Sequence, residues 1–326
     1  MSATVAPEKI LHDLAALWVE EGKQGSAGVL RACSMTLVVM AEESDDASAL
    51  GETLAALMPE HPARTILVRL RGGSERTLSE RVYQQCWMPF GQRRQICCEQ
   101  IELVASDAAL GDLPSVLLPL VVADLPVILW CRSPRLSAMP EFGDIARLAT
   151  KVVLDSAAFG EPEAAIARMA EAQARGMRIA DLAWTRVTRW REMLARVFEN
   201  REMLARLSGV AEVKVDCGAR HETSAWYLAA WTRNALAAAG LAPAVTVVRN
   251  SEAIRVELSG PGLRVALRCD GGTLIVTVND LTNQTHLEPA SDYLLMREEL
   301  GVARRDTVFE RTLSTAARLA VSSKTE

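Results

Sequence analysis

Apolar residues change their spacing several times along this chain, and each change marks an element. Ile10, Leu11, Leu14, Leu17 and Trp18 fall on one stripe at helical spacing, which predicts a helix over 8–20, and the Gly and Ser of 22–28 predict a loop after it. The apolar run 34–40 reads as a strand, 45–58 as a helix ended by Pro59, and 64–70 as a second strand, most simply parallel to the first across a right-handed crossover. Gly72 and Gly73 then turn the chain into two strands, 81–88 and 95–105, close enough to pair antiparallel through 89–93. Helix, strand, helix, strand and helix follow at 111–122, 127–131, 142–148, 151–155 and 163–174, ending at Gly176.

Beyond Gly176 the pattern differs. Residues 184–207 read as one long helix carrying the hexapeptide Arg-Glu-Met-Leu-Ala-Arg twice, at 191–196 and 201–206, with both copies on nearly one side. A strand at 210–216 and an alanine-rich helix at 224–239 come next. Four strands, 245–249, 253–258, 263–268 and 274–278, are separated by the turn signals Asn250-Ser251, Gly260-Pro261-Gly262 and Asp270-Gly271-Gly272, as in an antiparallel meander. Helices starting near Ser291 and Asp306 close the chain. The expected fold is α/β: a mixed-sheet, layered N-terminal α/β domain over 1–178, then a smaller α+β domain with an antiparallel meander over 179–326.

Composition narrows the function classes. A length of 326 residues suits about two domains, and 49% hydrophobic residues fill two cores. With 24% charged residues and a net charge of -5 there is no electrostatic case for nucleic acid or an anionic membrane as partner. The apolar runs are too short to span a bilayer, and residues 1–5 have no basic segment leading into an apolar one, so a cytoplasmic protein is expected. Seven irregularly spaced cysteines suit reduced thiols, with Cys33, Cys97 and Cys131 as buried strand residues.

The motifs of chemistry are missing from the sequence. No glycine-rich loop leads into Lys-Ser or Lys-Thr, Gly25-Ser26-Ala27-Gly28 has the wrong spacing for a nucleophile elbow, and the four histidines lack zinc-helix spacing. No catalytic residue, cofactor or metal is therefore expected. His61 and Arg64, at a loop-to-strand junction, and Arg132, after an apolar strand, are the weak candidates for binding an anionic ligand. Glu99, on an apolar strand, needs a partner if its face is buried, and Arg64 or Arg94 would serve. The densest cluster of interface-prone residues is Trp184, Arg186, Trp190 and Arg191. Trp184, Val187 and Trp190 also share a helical face, so the same residues could fill a core.

Four ordered segments carry a family resemblance: Arg31-Ala32-Cys33-Ser34-Met35-Thr36-Leu37-Val38-Val39, His61-Pro62-Ala63-Arg64-Thr65-Ile66, the block from Cys97-Cys98-Glu99-Gln100-Ile101 to Asp124-Leu125-Pro126-Val127-Ile128-Leu129-Trp130, and the tryptophan-rich stretch 181–192. Together they resemble the glucose-6-phosphate dehydrogenase assembly protein OpcA family, over most of residues 28–215. The resemblance implies a non-catalytic protein that docks on glucose-6-phosphate dehydrogenase, the entry enzyme of the oxidative pentose phosphate pathway, and assembles or allosterically activates it. Trp184, Arg186, Trp190 and Arg191 are then candidates for the contact or its scaffold. The alternative is a sugar-phosphate or nucleotide sensor or enzyme with its ligand at the strand ends of the N-terminal domain. Some members of that family are linked to thioredoxin control; here the chain after Cys269 has no cysteine pair for such a switch.

Overall fold

The computed structural model describes residues 5–24, 29–88, 95–302 and 304–322. Of the predicted loop at 22–28, residues 22–24 are helical and 25–28 lie outside the described residues, as do the turn at 89–93 and Arg94. The chain divides into two compact units, Met1–Leu154 with Met177–Ile179, and Asp155–Gly176 with Ala180–Glu326. Residues 155–176, expected in the first domain, thus belong to the second, which is no smaller than the first.

The first unit runs α1 (Pro7–Gln24), β1 (Val29–Arg31), β2 (Met35–Glu42), α2 (Ala47–Leu57), β3 (Ala63–Arg71), β4 (Leu78–Trp87), β5 (Gln95–Ser106), α3 (Leu113–Leu120), β6 (Val127–Cys131), α4 (Pro134–Ser137), α5 (Glu141–Ala146) and β7 (Lys151–Leu154). Helix α2 starts where it does because the Asp46 carboxylate accepts from the amides of Ser48 and Ala49 at 2.9 and 3.1 Å. The sheet order is β1-β5-β3-β2-β6-β7-β8, where β8 (Ile179–Asp181) begins with the last residue of this unit. Strand β2 lies parallel to both β3 and β6, and β4 pairs antiparallel with β5, so the sheet is mixed as expected. Strands β2 and β6 are buried almost throughout, the near-continuous apolar run of a sheet covered on both faces.

The second unit contains α6 (Pro162–Ala174), α7 (Leu182–Thr185), α8 (Thr188–Val197), α9 (Arg201–Arg206), β9 (Glu212–Asp216), α10 (Glu222–Ala238), β10 (Ala244–Val248), β11 (Arg255–Gly260), β12 (Leu263–Asp270), β13 (Thr273–Val278), β14 (Leu281–His286), α11 (Asp292–Gly301) and α12 (Thr307–Ser322). Its six-stranded sheet has the order β10-β9-β11-β12-β13-β14. Val213 and Val215, Val256 and Leu258, Val265 and Leu267, Leu274 and Val276 are all buried at alternate positions, which gives the sheet one apolar face.

Two expectations are corrected. Strand β10 is parallel to β9 and outside the meander, because the 17-residue helix α10 between them returns the chain to the same end of the sheet. The meander is β11 to β14, and its last strand has no apolar alternation to announce it. The single helix predicted over 184–207 is three: α7 ends before Val187, and Asn200 caps α9 by accepting from the amides of Glu202 and Met203 at 2.9 and 3.3 Å.

Candidate functional site

The segment from Asp181 to Arg191 folds inward. Asp181 caps α7 with Oδ1, which accepts from the amide of Ala183 at 2.9 Å and from that of Ser156 at 3.0 Å. Its Oδ2 accepts from the Ser156 hydroxyl and, at 2.7 Å, from the Tyr227 hydroxyl. Burial, followed by the charge of Asp155, pushes the Asp181 carboxyl up to about 6, outweighing these hydrogen bonds. The same burial, with Asp181 as neighbour, raises the Tyr227 hydroxyl well above its ordinary range.

Trp184 and Trp190 are 3% and 4% exposed, so they fill the core of the second unit and offer no side-chain surface to a partner. This corrects the direct-contact reading of both tryptophans. The Trp184 ring lies edge-on to Tyr227 at 6.0 Å and tilted to Phe309 at 5.7 Å, and its Nε1 donates to Asp306 at 3.2 Å. The Arg191 guanidinium sits over that ring, 3.3 Å from its centroid, and donates to Thr188 Oγ1 at 2.8 Å. Burial draws Arg191 down to about 10, which leaves it charged at neutral pH. Arg186 donates twice to the Asp155 carboxylate, at 3.2 and 2.8 Å. The four candidates therefore form a scaffold of buried rings and largely engaged guanidinium groups, in which Arg191 Nε is buried without a hydrogen-bond partner. Sequence reasoning missed its centre, Asp181 with Ser156 and Tyr227; the one available signal was an acid at a helix start.

The structure separates the three ligand candidates of the first unit. Arg64 is the second residue of β3, opposite Thr36 near the start of β2, and the half-buried His61 precedes that strand. Arg132 follows β6 at the other end, where the carboxyl ends of open α/β strands take ligands. Between Arg64 and the far end of β3 at Arg71 lie about 23 Å of strand, at roughly 3.3 Å per residue. Each arginine is also engaged. Arg64 donates to Glu99 at 2.6 Å and to the Leu120 carbonyl at 2.8 Å, so Glu99 has the partner its burial required. Trp18 and Arg31 complete the cluster at 2.7 and 2.8 Å from Glu99. Arg132 pairs with Asp45 at 3.3 Å and covers the Trp130 ring at 4.9 Å.

That end of the sheet, where the path reverses between β2 and β6, is laced with further ion pairs. Arg135 reaches Glu42 at 3.0 Å and Asp107 at 2.5 Å, and the Ser133 hydroxyl donates to Glu42. The structure accordingly does not bring His61 and Arg64 together with Arg132. Among the described residues, no group of three or more His, Cys, Asp or Glu could hold a metal ion, and no helix is long and apolar enough to cross a membrane.

The expectation of reduced thiols fails at one pair: Cys86 and Cys97, directly opposite across β4 and β5, form a disulfide. Burial pushes Cys98 up to about 11, Cys131 to about 12 and Cys217 to about 11, so these three thiols are poor nucleophiles at neutral pH.

Comparison with known proteins agrees with the sequence segments. Residues 55–171 match the model described as glucose-6-phosphate dehydrogenase subunit N-terminal domain, and 177–313 the corresponding C-terminal domain. A protein of Nostoc punctiforme named OxPP cycle protein OpcA is 29% identical over 141 residues, 43% of this chain and 30% of its own length. A protein of the same name from Synechocystis sp. is 25% identical over 197 residues, 59% of this chain and 40% of its own. The chain thus spans well under half the length of these curated relatives. Among solved structures, a Gfo/Idh/MocA family oxidoreductase from Vibrio cholerae aligns over 89% of this chain and 100% of its own at 12% identity and a TM-score of 0.43, too loose a likeness to carry a functional conclusion. The two matched domains, in order and covering most of the sequence, place this chain in the OpcA glucose-6-phosphate dehydrogenase assembly family.

Proposed function

We propose that this protein is a non-catalytic assembly factor or allosteric activator of glucose-6-phosphate dehydrogenase, acting by protein-protein docking in the cytoplasm. The observation that carries the reading is the paired match to both domains of the glucose-6-phosphate dehydrogenase subunit family. The geometry is compatible with it: the charged residues singled out as ligand candidates are held in internal ion pairs, at opposite ends of β3 and β6. A coupling of about 1–3 kcal/mol between docking and substrate binding changes affinity from several-fold to about a hundredfold, and a standard interface of roughly 1,600 Å² is enough to hold such a complex.

The scaffold around Trp184 and Arg191 has a defined part in this proposal. It fixes α7 and α8 so that their outward residues, among them Arg189 at 69% exposed, keep one geometry. The test is NADPH production by the glucose-6-phosphate dehydrogenase of the same organism across a glucose 6-phosphate titration, with and without the purified chain. A saturable fall in KM or rise in kcat is expected. No kinetic change and no co-elution of the two proteins would reject the proposal.

A further inference from the structure

The six-stranded sheet of the second unit ends in β14, which among the described residues is paired with β13 alone. That pairing runs without a bulge from Val278 opposite Leu281 to Thr273 opposite His286. One hydrogen bond fixes which main-chain groups face outward. The Leu287 amide donates to the Gly272 carbonyl at 2.8 Å, so the bonds flank the pair of Thr273 and His286 and that pair exchanges none itself. His286, and by alternation Gln284 and Thr282, therefore turn their N–H and C=O groups away from β13 to an open edge.

Sheet edges are ordinarily guarded by Lys, Pro, a bulge or a covering element, because a free row of donors and acceptors recruits another strand. Strand β14 has none of these. The run Leu281-Thr282-Asn283-Gln284-Thr285-His286 contains no Lys, Arg, Asp, Glu or Pro. Every residue of it but Thr285 is exposed, and Leu281 is 75% so. An edge without these charges meets no like-charge barrier when it pairs with itself.

The charges just beyond the edge select a register. Outward-turned residues must meet outward-turned residues, so a two-fold axis between antiparallel copies of β14 passes through a residue. Placed at Asn283, the axis sets His286 of each copy opposite Asp280 of the other, an imidazole donor against a carboxylate, both on exposed residues. Moved to Gln284, it sets Asp280 against Glu288, two like charges. Moved to Thr282, it shortens the paired run, since Val278 lies across the turn on β13.

We propose that two copies of this chain pair through β14, antiparallel about a two-fold axis at Asn283, and join their six-stranded sheets into one. Thr282 of each copy exchanges main-chain hydrogen bonds with Gln284 of the other, and Leu281 lies beside Thr285 of the other copy, which covers part of its apolar surface. The contact is isologous and closes at two copies. One strand pair is a small interface, so the dimer is reversible, with a Kd on the order of 10 μM. The inference stands apart from docking on the dehydrogenase, and its test omits that enzyme, so either can fail alone.

The experiment is sedimentation velocity of the full chain over a dilution series spanning that concentration, with thermal melting of the dilute samples. A monomer-dimer equilibrium is expected. Gln284→Pro removes an N–H that β13 does not use and places a ring at the edge, so it should abolish the dimer and leave the Tm of the dilute protein unchanged. His286→Asp should weaken dimerisation by about tenfold or more, because it turns both attractive pairs into repulsive ones, and His286→Asp with Asp280→His should restore it. Where Gln284→Pro lowers the dilute Tm, the charge exchange at these exposed positions decides. A chain still monomeric at about ten times the expected Kd, a dimer that survives Gln284→Pro, or a dimer indifferent to His286→Asp would overturn the proposal.

Discussion

Glu99 is the residue on which the first unit's charge balance turns: it is 5% exposed and accepts from Trp18, Arg31 and Arg64. Deleting one member of a buried pair strands the other's charge, so Arg64→Met is expected to cost about 3–5 kcal/mol in urea denaturation. Arg64→Met with Glu99→Leu should recover much of that, since no buried charge is then left without its partner and the half-exposed Arg31 can turn to water. A single-variant loss below about 1 kcal/mol would mean that Arg31 and water suffice. Asp181 gives a pH signature instead. Its folded pKa, raised from 3.8 to about 6, means that the folded state holds the proton more tightly. The stability this contributes is fully present below about pH 4 and is lost as pH rises through about 6, roughly 3 kcal/mol in all. Denaturation of wild type and Asp181→Asn at pH 4 and pH 7 should differ in slope by that amount; parallel pH dependence would contradict the assignment.

Elements were legible in the sequence wherever burial imposed a period, and illegible where a partner strand or one local residue decided. Helix α2 and strands β2, β3 and β6 follow directly from apolar spacing. The parallel pairing of β10 depends on the crossover through α10, and the exposed edge strand β14 buries too little to need a pattern. The Cys86 to Cys97 bond depends on register, which spacing alone does not give. As for the candidate site, the Trp184 and Trp190 face was visible as a helical stripe, but core and interface share that stripe. Burial separates them, and Trp190→Ala should therefore lower stability by about 3–5 kcal/mol, read by chemical denaturation. Within the same stretch Asn200→Ala removes the cap of α9 and should cost about 1 kcal/mol, with amide exchange quickening over α9 more than over α8. Equal quickening in both would restore the single continuous helix.

At the scale of the whole molecule, the division of the chain decides what can be cut from it. The second unit takes Asp155–Gly176 from sequence before the nominal boundary at 178, and that segment supplies two things the remainder cannot replace. Ser156 provides two of the four donors to Asp181, and helix α6 packs on α12 and α10. A fragment of residues 179–326 would keep Asp181 buried against Tyr227 with half its hydrogen bonds and would expose the surface of α10 and α12 against which α6, with its buried Ile166 and Met169, packs. Stranded polar groups and uncovered apolar area act in the same direction. Residues 155–326 are therefore expected to unfold in one cooperative transition, whereas residues 179–326 should lose that cooperativity and bind a hydrophobic dye. The comparison is made by calorimetry on the two fragments side by side, and an equally sharp transition in the shorter one would show that the second unit begins at the boundary the glycine at 176 suggests.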